Sequence, residues 1–205
     1  DGNSHEIVYQ ANMEYMGNES YWDKKFENRG GNPLKPEEAL VKNIKYLKSG
    51  TVLDLACGDG RNSFFLLQEG FNVTGVDFSI KALERLHKFA ARNNYKVNTK
   101  KIDLSKADAL DNLEEFDNII INHYRLSKEQ LSSINKHLRI EGVLFISGFG
   151  QKHVPDSKIR EEDLIQPSDF DGLNESLELV KYNETIDERG SFVTYIYRNQ
   201  GDLDN

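Results

Sequence analysis

The sequence predicts an α/β protein whose strands form a doubly wound, mostly parallel sheet, and three observations support this fold class. Between residues 51 and 149, short apolar runs alternate with helical segments, which is typical of parallel strands joined by right-handed crossovers. Apolar residues run without interruption at 119–121 and 143–146, as expected for strands buried on both faces. Near the C-terminus, apolar and polar residues alternate with period two, which indicates an antiparallel hairpin.

Residues 1–48 are predicted to form an N-terminal helical segment. YWDKKFEN, which begins at Tyr21, carries three aromatic residues at helical spacing. Acidic residues follow Pro36 in PEEALVKNIKYL, so we expect Pro36 at the first position of a second helix. A typical domain has roughly 150 residues, so this chain of 205 is expected to be one globular unit with its main domain at residues 49–205.

Five strands are predicted in the main domain, at TVLDLA, NVTGVDF, KVNTKKIDL, FDNIIIN and GVLFISGF. Helices are predicted at RNSFFLLQ, SIKALERLHKFAARNN and SKEQLSSINKHL, the last with Ser127 and Gln130 at capping-box spacing. The polar stretch 149–175 contains two prolines and is not expected to enter the core. SLELVKYNETI and SFVTYIYRN, joined by DERG, form the hairpin and bring the sheet to seven strands.

Composition excludes several classes of function. With 26 Lys and Arg against 34 Asp and Glu, the net charge is −8, and a surface this acidic does not attract nucleic acid or anionic membranes. No apolar run approaches the roughly 20 residues of a membrane helix. The single cysteine and the lack of a secretion signal predict a cytoplasmic protein. The five histidines lack zinc-binding spacing, so no metal is expected, and nothing predicts an oligomeric state.

A glycine-rich loop, DLACGDGRN at residues 54–62, lies where the first strand turns into a helix. Small residues there let the backbone approach a ligand closely, and the helix N-terminus offers unpaired N–H groups. Asp77 ends the second strand, 19 positions after Gly58. A carboxylate at that strand end can accept hydrogen bonds from both hydroxyls of a ribose. The loop and the acid together predict a site for a nucleoside-containing cofactor.

Two cofactors could use this geometry. For NAD, Gly58 and Gly60 fit the dinucleotide fingerprint, but Ser63 replaces its last small apolar residue, and the chain lacks a second mononucleotide-binding half. The carboxylates of Asp54 and Asp59 would also repel a pyrophosphate. The ammonium of an amino-acid tail would instead be attracted by such a carboxylate. The residues favour a cofactor that carries an amino-acid tail and leave NAD as an alternative.

VLDLACGDGRNSFFLLQEGFNVTGVDFS resembles the first two motifs of the class I S-adenosylmethionine-dependent methyltransferases. It is similar to their small tellurite-resistance and thiopurine-methyltransferase-like group, whose loop often reads ACGxGRN. The resemblance extends from Trp22 to about Phe149, and the closing hairpin matches the family's last two strands. It departs at Ala56, where many members have glycine. It implies a Rossmann-like fold, S-adenosyl-L-methionine as cofactor and a small-molecule methyl acceptor.

The resemblance also implies roles for individual residues. The methionine part of the cofactor would lie on the loop backbone, and Asp54 would orient its amino group; the loop residues are Ala56, Cys57, Gly58 and Gly60. Asp77 would hold the ribose hydroxyls and Asp103 the adenine amine. The adenine would be flanked by Phe78, Ser79, Ile102 and Leu104. At the end of the fourth strand, Asn122 and His123 would lie beneath the transferred methyl, and Trp22 would close over the cofactor.

Several alternatives stay open. Asp103 could instead cap a following helix, and Trp22 could belong to the packing face of its helix. His123 is the candidate base, although a structural role fits it equally well. We expect Cys57 to be a packed residue rather than a nucleophile. The function is predicted to be methyl transfer to a small molecule. The N-terminal segment and residues 149–175 are predicted to form a lid. A nicotinamide-dependent oxidoreductase and a non-catalytic S-adenosylmethionine-binding module remain as alternative functions.

Overall fold

The computed structural model describes residues 19–30 and 34–202, which form one sheet with helices on both sides. The sheet has seven strands in the order β3-β2-β1-β4-β5-β7-β6. In chain order the strands are β1 (Thr51–Leu55), β2 (Asn72–Asp77), β3 (Asn98–Lys101), β4 (Phe116–Asn122), β5 (Leu138–Phe149), β6 (Leu177–Asp187) and β7 (Gly190–Asn199).

Five α-helices lie in the described part of the chain: α1 (Glu19–Asn28), α2 (Glu38–Lys42), α3 (Arg61–Gln68), α4 (Ile80–Arg92) and α5 (Lys128–Ser133). Short 3-10 helices follow at Ile44–Tyr46, Ile134–His137, Glu161–Asp163 and Pro167–Phe170. The predicted capping box is present, because Ser127 accepts from the Gln130 backbone and Gln130 accepts in return.

Strands β1 to β5 pair in parallel, whereas β7 lies antiparallel between β5 and β6. The strand order reverses direction at β1, so β1 and β4 are neighbours and a crevice opens beyond their carboxyl ends. The predicted fold class, including the closing hairpin, is therefore confirmed.

The apolar runs are buried on both faces, as the sequence indicated. In β4, Ile119 and Ile121 belong to one hydrophobic cluster and Ile120 to the other. In β5, Leu144 belongs to the first of these clusters and Phe145 to the second. Successive side chains of these runs enter a core on either face of the sheet, which explains the uninterrupted apolar pattern.

Three local predictions were wrong. Pro36 does not begin a helix: Glu37 is the N-cap of α2, and the predicted second helix is divided into α2 and a 3-10 turn. Strand β3 has only the residues Asn98–Lys101 of the longer run that was predicted. The polar stretch 149–175 does enter the core, because Leu164 and Ile165 are buried against the sheet.

Within residues 19–30 and 34–202, none of the helices combines the length and apolarity that a bilayer crossing requires. The same residues contain no group of three or more His, Cys, Asp or Glu side chains arranged to hold a metal ion. The first 18 residues of the predicted N-terminal segment lie outside the described part of the chain.

Candidate active site

A cavity of about 420 Å³ opens at the carboxyl edge of the parallel strands. It lies over the ends of β1 to β4, between the helix α1 and the segment that follows β5. Ten of the residues that were selected from the sequence line it: Trp22, Ala56, Gly58, Asp77, Phe78, Ile102, Asp103, Leu104, Asn122 and His123. Residues far apart in the chain thus meet in the crevice where this sheet topology puts ligands.

The loop after β1 turns sharply under this cavity. Ala56, Gly58 and Gly60 have positive φ angles of 56°, 58° and 94°. A Cβ at Gly60 would lie 2.3 Å from Leu86 Cδ1, so α4 excludes any side chain there. Of the loop residues with positive φ, Ala56 and Gly58 line the cavity, so the loop presents backbone and only one methyl group to its occupant.

Asp77 lies at the end of β2, held by the backbone around it. Its Oδ2 accepts from the Gly58 amide at 2.9 Å, and its Oδ1 accepts from the Ser79 amide at 2.9 Å. Burial raises the pKa of Asp77, and these backbone hydrogen bonds oppose the rise. Each carboxylate oxygen keeps a further lone pair, so two hydroxyl donors can still be accepted.

Asp54 lies beneath the loop rather than on the cavity wall. It is 1% exposed, and its Oδ2 accepts a 2.6 Å hydrogen bond from Ser63 Oγ. Burial raises the pKa of Asp54 to about 7, and the charge of Asp77 adds to the effect. Its role towards a cofactor amino group stays a prediction.

Three more of the selected residues do not line the cavity: Cys57, Gly60 and Ser79. Burial raises the pKa of Cys57 well above its usual value, which fits a packed thiol rather than a nucleophile. Ser79 is the N-cap of α4, since its Oγ accepts from the Ala82 amide, and it also hydrogen-bonds Asp23 of α1.

Asp103 follows β3 and faces the cavity. Its Oδ1 accepts from the Ser105 amide at 3.0 Å and from the Ser105 hydroxyl at 2.6 Å. The hydroxyl's hydrogen bond lowers the pKa of Asp103. Residues 104–112 form turns rather than a helix, so the helix-capping interpretation of Asp103 is wrong.

Asp59 turns away from the cavity. Its carboxylate pairs with Arg29 at 2.9 Å and with Arg85 at 3.2 Å, and the residue is 1% exposed. Two guanidinium groups neutralise it, so the expected repulsion between Asp59 and a pyrophosphate does not hold. The case against a dinucleotide rests instead on the hairpin β6–β7, which stands where a second mononucleotide-binding half would be.

Sequence reasoning missed a buried carboxylate beside His123. Glu37 is 1% exposed, and its Oε2 lies 3.1 Å from His123 Nε2. Arg189, from the turn between β6 and β7, donates to Glu37 Oε1 at 2.9 Å. Burial favours the neutral acid, but the hydrogen bonds and charges of His123 and Arg189 outweigh it and lower the pKa of Glu37 to about 2.

The far wall of the cavity comes from the segment 149–175, which the sequence analysis expected to belong to a lid without naming its lining residues. The segment after β5 contributes Lys158, Ile159, Glu162, Asp163 and Ile165, and aromatic side chains come from Phe26, Tyr124 and Phe149. Arg125 fixes this segment, because its guanidinium forms two hydrogen bonds, of 2.9 and 2.6 Å, with the buried Asp169. Polar loops carry no periodicity, so no local pattern could have indicated these positions.

Solved structures define the class of fold. The crystal structure of TehB from Haemophilus influenzae superposes with a TM-score of 0.63 at 24% identity, covering 88% of this chain and 66% of that one. A S-adenosylmethionine-dependent methyltransferase from Clostridium acetobutylicum superposes with a TM-score of 0.60 at 17% identity, covering 80% of this chain and 89% of that one. The fold is that of the Rossmann-like methyltransferases.

The chain belongs to the family described as Tellurite resistance protein TehB, which matches residues 14–191. This confirms the resemblance carried by the glycine loop. The probable S-adenosyl-L-methionine-dependent methyltransferase TehB of Haemophilus influenzae is 27% identical over 125 residues, 61% of this chain and 42% of that protein. A ubiquinone biosynthesis O-methyltransferase of Rickettsia bellii is 31% identical over 114 residues, 54% and 46% of the two chains. The matches thus span less than half the length of these relatives.

Proposed function

We propose that this protein transfers the methyl group of S-adenosyl-L-methionine to a small-molecule acceptor. The observation that carries the proposal is the cavity, in which the loop backbone, Asp77 and Asp103 follow one another along the ends of β1, β2 and β3. That order matches the amino acid, ribose and adenine parts of the cofactor. Family membership and the methyltransferase relatives support the same function.

The donor groups of the cavity fit this cofactor. Asp77 would accept from the two ribose hydroxyls, and Asp103, whose low pKa keeps it ionised, would accept from the adenine amine. Phe78, Ile102 and Leu104 would flank the adenine. The proposed support for the methionine part is the loop, with Ala56, Cys57, Gly58 and Gly60, together with the carboxyl of Asp54.

We further propose that residues 1–48 act as a helical lid on a methyltransferase domain at residues 49–205. Trp22 and Phe26 of α1 line the cavity on one side, and the segment 149–175 lines it on the other. Both would exclude water and hold the acceptor in line with the methyl group. Asn122 and His123 line the cavity at the end of β4, between these two walls.

When bound, the cofactor would supply both the methyl group and the leaving group, which is the sulfur that carries the methyl. The residues of the chain therefore have to align the acceptor and exclude water. If the acceptor atom carries a proton, they also have to take up that proton. His123 is the proposed group for that proton.

The names of the family and of the Rickettsia relative suggest two acceptor chemistries, a metalloid oxyanion and a phenol. A small thiol is a third that suits methyl transfer. A nucleic acid is a poor candidate at a net charge of −8, and the single cysteine supports a cytoplasmic location.

Two experiments test the function. Calorimetric titration with S-adenosylhomocysteine and with NAD decides the cofactor; binding of NAD alone would favour an oxidoreductase and overturn the proposal. Incubation with methyl-labelled S-adenosylmethionine and sodium tellurite, catechol or thiophenol measures transfer. Label in one of these products supports the proposal. S-adenosylhomocysteine binding with no transfer to these or a wider acceptor panel would favour the non-catalytic module.

A further inference from the structure

The buried Glu37 stands beside His123 but does not line the cavity. It is the N-cap of α2, and its own amide donates to Asn62 Oδ1 at 2.9 Å, so its backbone is tied to the helix after the glycine loop. Its side chain reaches the end of β4 and the β6–β7 turn at once. A carboxylate that joins three elements has a fixed position.

The ring of His123 is also fixed. Its backbone has a φ angle of 56° and donates to the Ser147 carbonyl at 2.9 Å. The ring packs against Phe149 and Phe192, with centroids 5.3 and 5.2 Å away. Hence the ring presents Nε2 to Glu37 and leaves Nδ1 for another partner.

The protonation of the pair follows from the charges around it. Arg189 donates to Glu37 at 2.9 Å, and Arg61 lies 3.7 Å from the same carboxylate. With these cations nearby, Glu37 is an ionised group that can only accept hydrogen bonds. The hydrogen in the 3.1 Å contact must therefore belong to His123 Nε2.

We propose that Glu37 is a positioning residue that holds His123 in the Nε2–H tautomer, so that Nδ1 receives the proton of the methyl acceptor. This rests on the proposed methyl transfer. A lone pair of the acceptor forms the bond to the methyl carbon while the sulfonium carbon–sulfur bond breaks, and that electron pair stays on sulfur. The acceptor's proton passes to Nδ1, and from the imidazolium to water.

Changing Glu37 to glutamine removes the charge that holds the tautomer but keeps the size of the side chain. Arg189 Nη1 lies 2.9 Å from Oε1 and 3.1 Å from Oε2, so it does not fix the orientation of the new amide. His123 Nε2 then faces either a neutral carbonyl, which accepts a hydrogen bond less strongly than a carboxylate, or an NH₂ group, which requires Nε2 to accept. The Nδ1–H form of the neutral ring should therefore gain population in Glu37→Gln.

The test uses nitrogen-15 NMR of the histidine rings in the full chain. The His123 signal is identified as the one that is absent from the spectrum of His123→Asn. At a pH where the ring is neutral, the wild type is expected to show His123 in the Nε2–H tautomer, and Glu37→Gln is expected to show a larger share of the Nδ1–H tautomer. Glu38→Gln is the matched control, because it removes the neighbouring exposed charge and is expected to leave the tautomer unchanged. Glu37→Asp keeps a carboxylate and should keep the wild-type tautomer.

Kinetics separate positioning from folding. On whichever of tellurite, catechol and thiophenol is methylated, Glu37→Gln should lower kcat by up to about 100-fold, the contribution of a general base, while the Kd of S-adenosylhomocysteine changes little. Glu37→Asp should recover part of kcat. An Nδ1–H tautomer in the wild type, or tautomer populations in Glu37→Gln that equal those of the wild type, would overturn the inference. Failure to bind S-adenosylhomocysteine would instead refute the proposed function, since the tautomer is measured without it.

Discussion

The buried carboxyl of Asp54 should make the stability of the protein depend on pH in a defined way. Its pKa of about 7 in the folded protein is higher than the ordinary 3.8. The folded state therefore binds this proton more tightly than the unfolded chain, and the native protein loses stability as pH rises from about 4 to 7. Once Asp54 is ionised in both states, the difference between its two pKa values has lowered the free energy of unfolding by about 4 kcal/mol, at about 1.4 kcal/mol per pKa unit.

Asp54→Asn removes the titration but keeps an oxygen that can accept from Ser63. The variant should be more stable than the wild type at pH 8, and its advantage should shrink by roughly 2–3 kcal/mol at pH 5, where Asp54 is protonated in the native state. Urea unfolding at the two pH values measures this. Asp111→Asn, at an exposed position, removes the same charge and serves as control.

An advantage of Asp54→Asn that is the same at pH 5 and pH 8 would refute this reasoning, because the substitution would then act through packing alone. The same variant should bind S-adenosylhomocysteine more weakly by about 1–3 kcal/mol, since the cofactor's ammonium loses its proposed acceptor. A variant that is more stable yet binds less well would indicate that this carboxyl serves ligand binding rather than folding.

Three further predictions concern the cavity wall. Asp77→Ala should weaken S-adenosylhomocysteine binding by about 1–3 kcal/mol in calorimetry, because the ribose loses its acceptor; unchanged affinity would count against the assignment. Gly60→Ala should destabilise the protein by about 1–3 kcal/mol in urea, because its φ is 94° and the new methyl would meet Leu86; an unchanged midpoint would contradict the strained geometry. Trp22 is the single tryptophan and lines the cavity, so S-adenosylhomocysteine should change the emission of the wild type and leave Trp22→Phe without a response; a silent wild type would argue against closure over the cofactor.

The sheet could be predicted because its strands have strong local signals. Ile119–Ile121 contributes to the two larger hydrophobic clusters, and such an uninterrupted apolar run is typical of a strand buried on both faces. The loop and Asp77 could be selected because they lie where strands end, and the carboxyl ends of parallel strands meet at one edge. Asp103 was selected from the family resemblance.

Long-range pairs could not be predicted in this way. Glu37 meets partners 86 and 152 positions away, in His123 and Arg189, and no periodicity connects such distant residues. Spacing alone also cannot tell which carboxylate of the loop faces a ligand, as the turned-away Asp59 illustrates. Leu164 and Ile165 are only two apolar residues within a polar stretch, too few to indicate burial.

A crystal structure with S-adenosylhomocysteine tests the central claim most directly. We expect the ribose hydroxyls on Asp77, the adenine amine near Asp103 and the sulfur facing Asn122 and His123. A nucleoside bound elsewhere, or one that leaves Asp77 without a contact in this cavity, would contradict the account.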